Sequence, residues 1–332
     1  GIFLKLNSLR VLRDLGIHDT LASQGTWIRE AQLWGHNGTP ILQRSLPAAA
    51  VLTVRREDIH QALVNSARNL GVAIRTATEV SRVDVQGNVQ VKGERAEAYD
   101  LVVGADGVGS VVRESIGLTR SVQPTGAGSW RALMPQREID PQDQVIEFWR
   151  GHRRILVAPA GPGRTYICAS SRDDDVAASS GDFPHAVWTQ SFPEFADLIS
   201  RVANEGTTRR QHLKVAVRGW HRGRVAILGD AVHGQPPNLG QGAGCAIANG
   251  AALAACLTET ATLEEALLAW ERRQRELTED VQSWSNLYDS IVHSWPSSLE
   301  LGREALVWGI GKFAPTRARW SRLSAGLAAS AR

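Results

Sequence analysis

Apolar residues along this chain repeat with two periods, and the switches between them divide it. Leu4, Leu9, Leu12 and Leu15 fall on one face of a helix that Gly16 ends and that Asn7 or Ser8 is placed to cap. Alternation over residues 26–34 and 41–46 predicts strands with one exposed face. The unbroken apolar run 51–54 predicts a buried strand, and Ile59, Leu63, Ala67 and Leu70 share one face of a following helix that Gly71 stops, giving one β–α unit. Short strands are predicted at 73–75, 80–85 and 89–91, with Gly87 and Asn88 as a hairpin turn. A buried strand at 101–103, a Gly-Ala-Asp-Gly turn and a helix beginning near Ser110 come next. From 123 to 172 the period becomes two, and "QVIEFW", "RRILVAP" and "RTYICAS" predict antiparallel strands of a second, sheet-based unit.

Residues 183–202 predict helical turns broken by Pro184 and Pro193, and at 225–228 an apolar run predicts a buried strand once more. Beyond 261, Leu263, Leu267, Trp270, Leu277, Val281, Trp284, Tyr288, Ile291 and Trp295 draw a helical stripe that packs on the core or on a partner subunit. Leu306, Val307, Trp308, Ile310 and Phe313 predict a further docked helix or, as the weaker reading, a membrane-surface element. The result is an α/β chain with an inserted antiparallel sheet and C-terminal helices, divided at 1–120, 121–220, 221–260 and 261–332, the third segment returning to the first unit.

Composition narrows the function. A hydrophobic content of 43% and a charged content of 21% over 332 residues describe a folded chain with a substantial core, and no apolar run reaches the ~20 residues of a membrane span. The net charge of +3 is spread over scattered arginines and four lysines, without the basic, aromatic-laced stripe of a nucleic-acid surface. Three cysteines, none in a CxxC, exclude a cysteine zinc site and fit a reducing compartment, so a cytoplasmic location is expected. Cys245 and Cys256 lie in an alanine-rich helix as small hydrophobes.

The densest chemistry is in "VAILGDAVHGQPPNLGQGAGCAIANG", residues 225–250. Asp230 follows a buried strand, at the end of an α/β sheet where ligands bind, and its carboxylate can accept hydrogen bonds from a polyol. Pro236 and Pro237 stiffen the loop; Gly240, Gly242 and Gly244 let the backbone approach a flat ring; and the following helix offers free N–H groups to negative charge. A strand-to-helix turn needing one glycine explains less than Asp, His, two prolines and five glycines together.

"GADGVGSVVRESIG" and "ILGDAVHGQPPNLGQGAGCAIANGAALA" resemble the two interior FAD-binding signatures of the group A flavoprotein monooxygenases, the single-component FAD-dependent aromatic hydroxylases. "GIFLKLNSLRVLRDLGI" and "VRREDIHQAL" are similar to stretches that follow the first nucleotide-binding unit there. The resemblance implies a Rossmann-like FAD-binding domain with the inserted sheet roofing the substrate. It places Gly229 and Asp230 at the ribityl or phosphate region, and Pro237, Gly240, Gln241, Gly242 and Ala243 along the isoalloxazine. His233 lies near the cofactor as a loop-shaping residue, and Arg56 faces the flavin, with Arg55 a competitor for that role. Asp106 and Gly107 form the other family turn, although a helix cap describes Asp106 equally well. Trp130 and Arg131 border the substrate cavity or, for Trp130, the core.

The implied reaction is reduction of FAD by NADPH or NADH, addition of O2 to give a C4a-hydroperoxide, and hydroxylation of an aromatic or polycyclic phenol, with a homodimer as a possible assembly. Halogenation, epoxidation or dehydrogenation on the same fold, or a non-catalytic remnant, are the alternatives. Two departures stand out. Asn249 occupies a position where the family usually has an aspartate, and no strand followed by GxGxxG is present to cradle the ADP pyrophosphate. An amino-terminal βαβ unit is therefore expected to be missing from this sequence, with weak or absent FAD binding by the 332-residue chain.

Overall fold

The computed structural model describes residues 1–202, 205 and 207–327. Its largest sheet has seven strands in the order Arg210–Val217, Thr119–Pro135, Arg164–Arg172, Arg153–Pro159, Gln144–Arg150, Glu30–Trp34 and Pro40–Ser45. All neighbours are antiparallel except Glu30–Trp34 beside Gln144–Arg150. The three strands predicted at 144–172 are thus present. Residues 30–45, grouped by sequence order with the first segment, belong to this sheet instead, because alternation reveals an exposed face but not which sheet supplies the neighbour.

The two faces of this sheet have different lives. Trp130, Ala132, Met134, Ile155, Val157, Ile167 and Ala169 pack against Phe183, Trp188, Phe192, Leu198 and Ile199 from the helical turns at 183–202. Trp130 is therefore core, its indole N–H donating to the Ala178 carbonyl at 3.0 Å. The alternate residues of the same strands, Ser129, Arg131, Leu133, Tyr166, Cys168 and Ser170, turn to the opposite face. Arg131 sits opposite Cys168, and Leu133 opposite Tyr166.

A small sheet holds the parallel pair Val102–Gly104 and Val225–Ile227, in register from Val102 with Val225 to Gly104 with Ile227. Val225, Ala226 and Ile227 are fully buried in a cluster with Trp220, Leu253, Leu267 and Trp270, as a strand without alternation requires. Among the described residues no strand pairs with the other edge of Val102–Gly104. The strand expected at 73–75 does not form. Val72 and Ile74 are 54% and 42% exposed, and with no ladder partner beside them their β-branched side chains have nothing to pair on.

Two helices dominate the rest. Gly242–Glu259 follows the loop, and Leu263–His293 packs along it, with Thr262 and Glu265 forming a capping box at its start. Asn249, in the aspartate position, is buried between the two helices; its amide donates to Thr278 Oγ1 at 3.2 Å, so a neutral hydrogen bond replaces any ion pair. The tail forms helices Glu300–Lys312 and Ala314–Ser324. The first helix begins at Leu6, with Ser8 Oγ accepting the Lys5 amide, so neither Asn7 nor Ser8 stands at the cap position itself. Among the described residues no helix is long and apolar enough to cross a membrane.

Candidate functional site

The parallel pair of strands sets the site, because both Asp-bearing turns leave the sheet at one end. Arg113, fully buried, ties them together: Nη2 donates to the Val108 carbonyl at 2.7 Å, Nη1 to the Ala231 carbonyl at 2.9 Å, and Nε to Thr119 Oγ1 at 3.1 Å. In the first turn Gly107 takes φ +82°, and Asp106 accepts the Val112 amide at 3.1 Å and the Ser110 hydroxyl at 2.5 Å. Asp106 thus buttresses the start of helix Val111–Ser115, whose cap is Ser110, its Oγ accepting the Arg113 amide at 2.9 Å.

In the second turn Gly229 adopts φ 63° and ψ −139°, a conformation closed to side-chain-bearing residues, and throws Asp230 outward. One helical turn, Asp230–His233, leads through Pro236 into the 3₁₀ turn Pro237–Leu239; Gly240, left-handed at φ 59°, then starts the chain into Gly242–Glu259. The protein grips this loop from behind. Lys5 Nζ donates to the Leu239 carbonyl at 2.6 Å, and burial lowers its ammonium to about 8. Gln241 is buried, accepting from Asn7 Nδ2 at 3.0 Å and donating to the Ser324 carbonyl at 2.7 Å, so its side chain is a clamp facing away from the loop's open side. From the long helix, Gln282 donates to the Gly234 carbonyl at 3.1 Å, Ser285 Oγ to the Pro236 carbonyl at 2.5 Å, and the Asp289 carboxylate accepts Asn238 Nδ2 at 3.0 Å.

Several polar groups of the loop are left over. The Asp230 side chain is exposed, its Oδ1 lying 3.8 Å from where a Cβ on Gly242 would stand. Helix Gly242–Glu259 has no side-chain cap, leaving the amides of its first turn, Ala243 included, open. His233 is buried, burial lowers its pKa so that it is neutral, and among the described residues neither ring nitrogen has a hydrogen-bond partner. Cys245 is inert: burial pushes its thiol up to about 12.

Strand Ile2–Lys5 forms the wall between this loop and the large sheet. Its Lys5 end meets Leu239, Phe3 stands 3.3 Å from where a Gly240 Cβ would project, and Gly1 lies against Ala160 and Tyr166. Ile2 pairs with Val54, which brings the start of helix Arg56–Asn69 to the same corner. There Arg55 is consumed by ion pairs with Asp58 at 2.5 Å and Glu57 at 2.7 Å, whereas Arg56 is exposed. Of the two competitors, Arg56 is the one with a charge to offer.

The floor opposite the loop is the second face of the seven-stranded sheet: Arg131, Leu133, Tyr166, Cys168, Leu156 and Ala158. Burial pushes the Tyr166 hydroxyl well above its ordinary value. Beside them Arg154 makes a two-pronged pair with Glu147 at 2.6 and 2.9 Å and donates to Asn238 Oδ1 at 3.0 Å, while Tyr288 and Trp149 also donate to Glu147. An open groove of about 550 Å³ elsewhere, lined by Arg150, Arg153 and Arg172, is self-satisfied, each arginine being paired with an acid.

Sequence thus locates the loop and its outward residues, but not Lys5, Arg113, Glu147, Arg154, Asn238 or Asp289. One signal was available. Thr278, Gln282, Ser285, Asp289 and His293 recur every three or four residues inside a helix whose neighbouring positions are apolar, which marks a second, polar stripe turned inward.

The described loop fits a flavin: a carboxylate facing outward for a polyol, a glycine at the ring's edge, and unpartnered donors where negative charge would lie. Residues 1–285 match the family model for the FAD binding domain. A Rhodococcus erythropolis protein assigned by its name to 2-heptyl-3-hydroxy-4(1H)-quinolone synthesis is 35% identical over 294 residues, covering 86% of this chain and 76% of that one. The 6-hydroxynicotinate 3-monooxygenase of Pseudomonas fluorescens is 29% identical, covering 86% and 80%. The solved structure of 2-methyl-3-hydroxypyridine-5-carboxylic acid oxygenase superposes with a TM-score of 0.81 at 31% identity, over 90% of this chain and 84% of that one. By this match and these likenesses the chain belongs to the FAD-binding-domain family of group A FAD-dependent aromatic monooxygenases.

Proposed function

We propose that this chain hydroxylates an electron-rich N-heteroaromatic ring bearing a ring oxygen, of the quinolone or hydroxypyridine kind, using NADPH or NADH and O2, with FAD seated on the Asp230 loop. The relatives named above share that substrate chemistry, and the observation that carries the assignment is the convergence of unpartnered groups at the loop: exposed Asp230, buried His233 and the uncapped helix at Gly242. When bound, FAD supplies electron transfer from the nicotinamide and activation of oxygen. Asp230 would accept hydrogen bonds from ribityl hydroxyls. Gly240, Gly242 and Ala243 would run along the ring, with the free amides of the helix favouring negative charge on its pyrimidine side. Arg56 stands at the far end of the same wall as a counter-charge.

The floor supplies orientation and polarity. Tyr166 keeps its proton at neutral pH, so it donates to the substrate's ring oxygen rather than removing a proton from it. Arg131 brings positive charge to the same surface and favours the oxyanion form of the substrate, whose ring is the more electron-rich. Self-association into a homodimer belongs to the same proposal; Trp308 and Phe313, 52% and 64% exposed on the tail, give it an apolar surface. FAD titration and product analysis under isotope-labelled O2 test the reading. Asp230→Ala should weaken FAD binding about tenfold or more, the worth of a charge-assisted hydrogen bond. Unchanged affinity would remove the loop assignment, and NAD(P)H consumption without an oxygenated product from a quinolone and hydroxypyridine panel would remove the activity.

A further inference from the structure

Behind the loop lies a buried polar cluster that the proposed reaction leaves unused. Asp289 Oδ1 stands 3.0 Å from His212 Nδ1 and 3.2 Å from His293 Nδ1, all three residues buried, and their ligand atoms fall within 4.8 Å of one another. A metal centre is one use of such a trio, but every ring nitrogen here already has a partner: His212 Nε2 meets Ser129 Oγ at 3.2 Å, and His293 Nε2 meets Ser170 Oγ at 3.1 Å. The directions of these bonds can be assigned. Ser129 Oγ accepts Arg131 Nε at 3.0 Å, which leaves its own proton for His212 Nε2, so His212 donates through Nδ1 to Asp289. Against burial, which pushes its pKa up, the two histidine hydrogen bonds hold the Asp289 carboxyl far below the ordinary range, and burial keeps His212 neutral. Asp289 accepts a third bond from Asn238 in the flavin loop, and Asn238 in turn accepts Arg154 from the floor.

We propose that Asp289 is the positioning residue of the site: through His212 and Ser129 it orients Arg131 on the substrate floor, and through Asn238 it fixes the Pro237–Leu239 turn, so that floor and loop keep one geometry. The Asp289 carboxylate, which accepts from His212 and from Asn238 and has His293 beside it, faces both surfaces; His293 Nδ1 meets the Asp289 backbone carbonyl at 3.2 Å. The bonds run from the substrate side to the cofactor side without a gap. Removing the charge weakens the acceptor that His212 and Asn238 share, and Asn238 is the partner that turns away, because its amide has a second acceptor in the Ser285 carbonyl at 3.2 Å whereas the histidines are held by serines on the sheet.

The flavin part of this inference rests on the loop assignment above; the mechanical part does not. In the flavin-free full chain, Asp289→Asn should raise amide hydrogen exchange in the 234–243 segment roughly tenfold while exchange in the 153–172 strands stays put, tenfold being the loss of about one hydrogen bond's worth of local stability. Asn238→Ala should do the same, and the double variant should add little to either, since both break one connection. In FAD-reconstituted protein, Asp289→Asn should also shift the visible flavin band and lower the fraction of NAD(P)H turned into oxygenated product. Exchange in 234–243 within twofold of wild type for both variants, or additive effects, overturns the proposal; if Asp289→Asn does not fold, Asp289→Glu, which keeps the charge but displaces the oxygen that Asn238 meets, takes its place with the same expected and overturning results. Faster exchange with an unaltered flavin band would instead count against flavin at this loop, and leave the Asp289 connection standing.

Discussion

Two kinds of glycine stand in the cofactor loop, and they can be told apart by substitution. Gly229 is held at φ 63° and ψ −139°, and the nearest atom to an added Cβ is Ala246 Cβ at 3.5 Å, an ordinary contact. The whole cost of Gly229→Ala is therefore backbone strain, about 1–3 kcal/mol of stability. Gly240 is left-handed at φ 59°, and its Cβ would press on Phe3 at 3.3 Å, which adds to the roughly 1–2 kcal/mol of strain. Gly242 differs from both. It opens a helix with ordinary backbone angles, and an added Cβ meets nothing closer than Asp230 Oδ1 at 3.8 Å. The fold has no use for a glycine there, and alanine should leave stability unchanged or raise it by up to ~1 kcal/mol.

If a flat ring lies against the helix mouth, however, the methyl group of Gly242→Ala occupies its place, and forcing it aside costs about 1–3 kcal/mol, or roughly 5- to 150-fold in FAD affinity. Urea unfolding of the flavin-free chain, followed by fluorescence titration with FAD, measures the two quantities separately. The expected pattern is opposite in the two variants: Gly229→Ala unstable, Gly242→Ala stable but poor at binding. Wild-type FAD affinity in Gly242→Ala would refute the claim that the ring passes over this residue.

Two further outcomes concern charge. Glu147→Leu strands Arg154, which is almost wholly buried, and should cost about 3–5 kcal/mol in urea unfolding, with Glu147→Leu/Arg154→Met recovering more than half of it; a single-variant cost under ~1 kcal/mol would show that water reaches the pair. Lys5 is lowered from 10.5 to about 8 by burial, so between those values the unfolded chain binds more protons than the folded one and this group makes stability rise with pH, by at most ~3 kcal/mol. Cys245, raised from 9.0 to about 12, acts oppositely above pH 9, which is why the test is the difference between wild type and Lys5→Met: that difference should grow in favour of wild type from pH 8 to 10.5, and a flat difference would contradict the burial of Lys5.

How far the sequence carries depends on whether a residue's partner is near in the chain. The Gly-Asp loop is legible because strand, prolines, glycines and helix follow one another within 26 residues, and local conformational demands suffice to recognise them. The strands at 144–172 are legible for the same reason. Arg113, by contrast, reads as one more arginine at a helix surface, yet it is buried, because its carbonyl partner Ala231 comes from 118 positions away. Asp289 is separated from Asn238 by 51 positions and from His212 by 77, so nothing local distinguishes it from a solvated helix acid except its place in the inward polar stripe. The failed strand at 73–75 is the converse case: it holds one β-branched residue, Ile74, and among the described residues no strand pairs with it, and a strand is a property of two segments.

The same division explains why the loop can be ready for a ligand before one arrives. The carbonyls of Gly234, Pro236 and Leu239 are each taken up by a side chain from another element, so the turn of the backbone is fixed by Gln282, Ser285 and Lys5 rather than by the ligand. The first helical amides, the His233 ring and the Asp230 carboxylate are left without a side-chain partner among the described residues. A loop ordered from behind loses little conformational freedom on binding, and its unpartnered polar groups gain hydrogen bonds they otherwise lack; both effects favour the complex without any contact being individually strong. It follows that weakening the rear clasps should lower FAD affinity even though none of those residues touches the flavin, and that FAD in excess should restore much of the stability such variants lose, since a ligand bound only by the folded chain stabilises it by mass action.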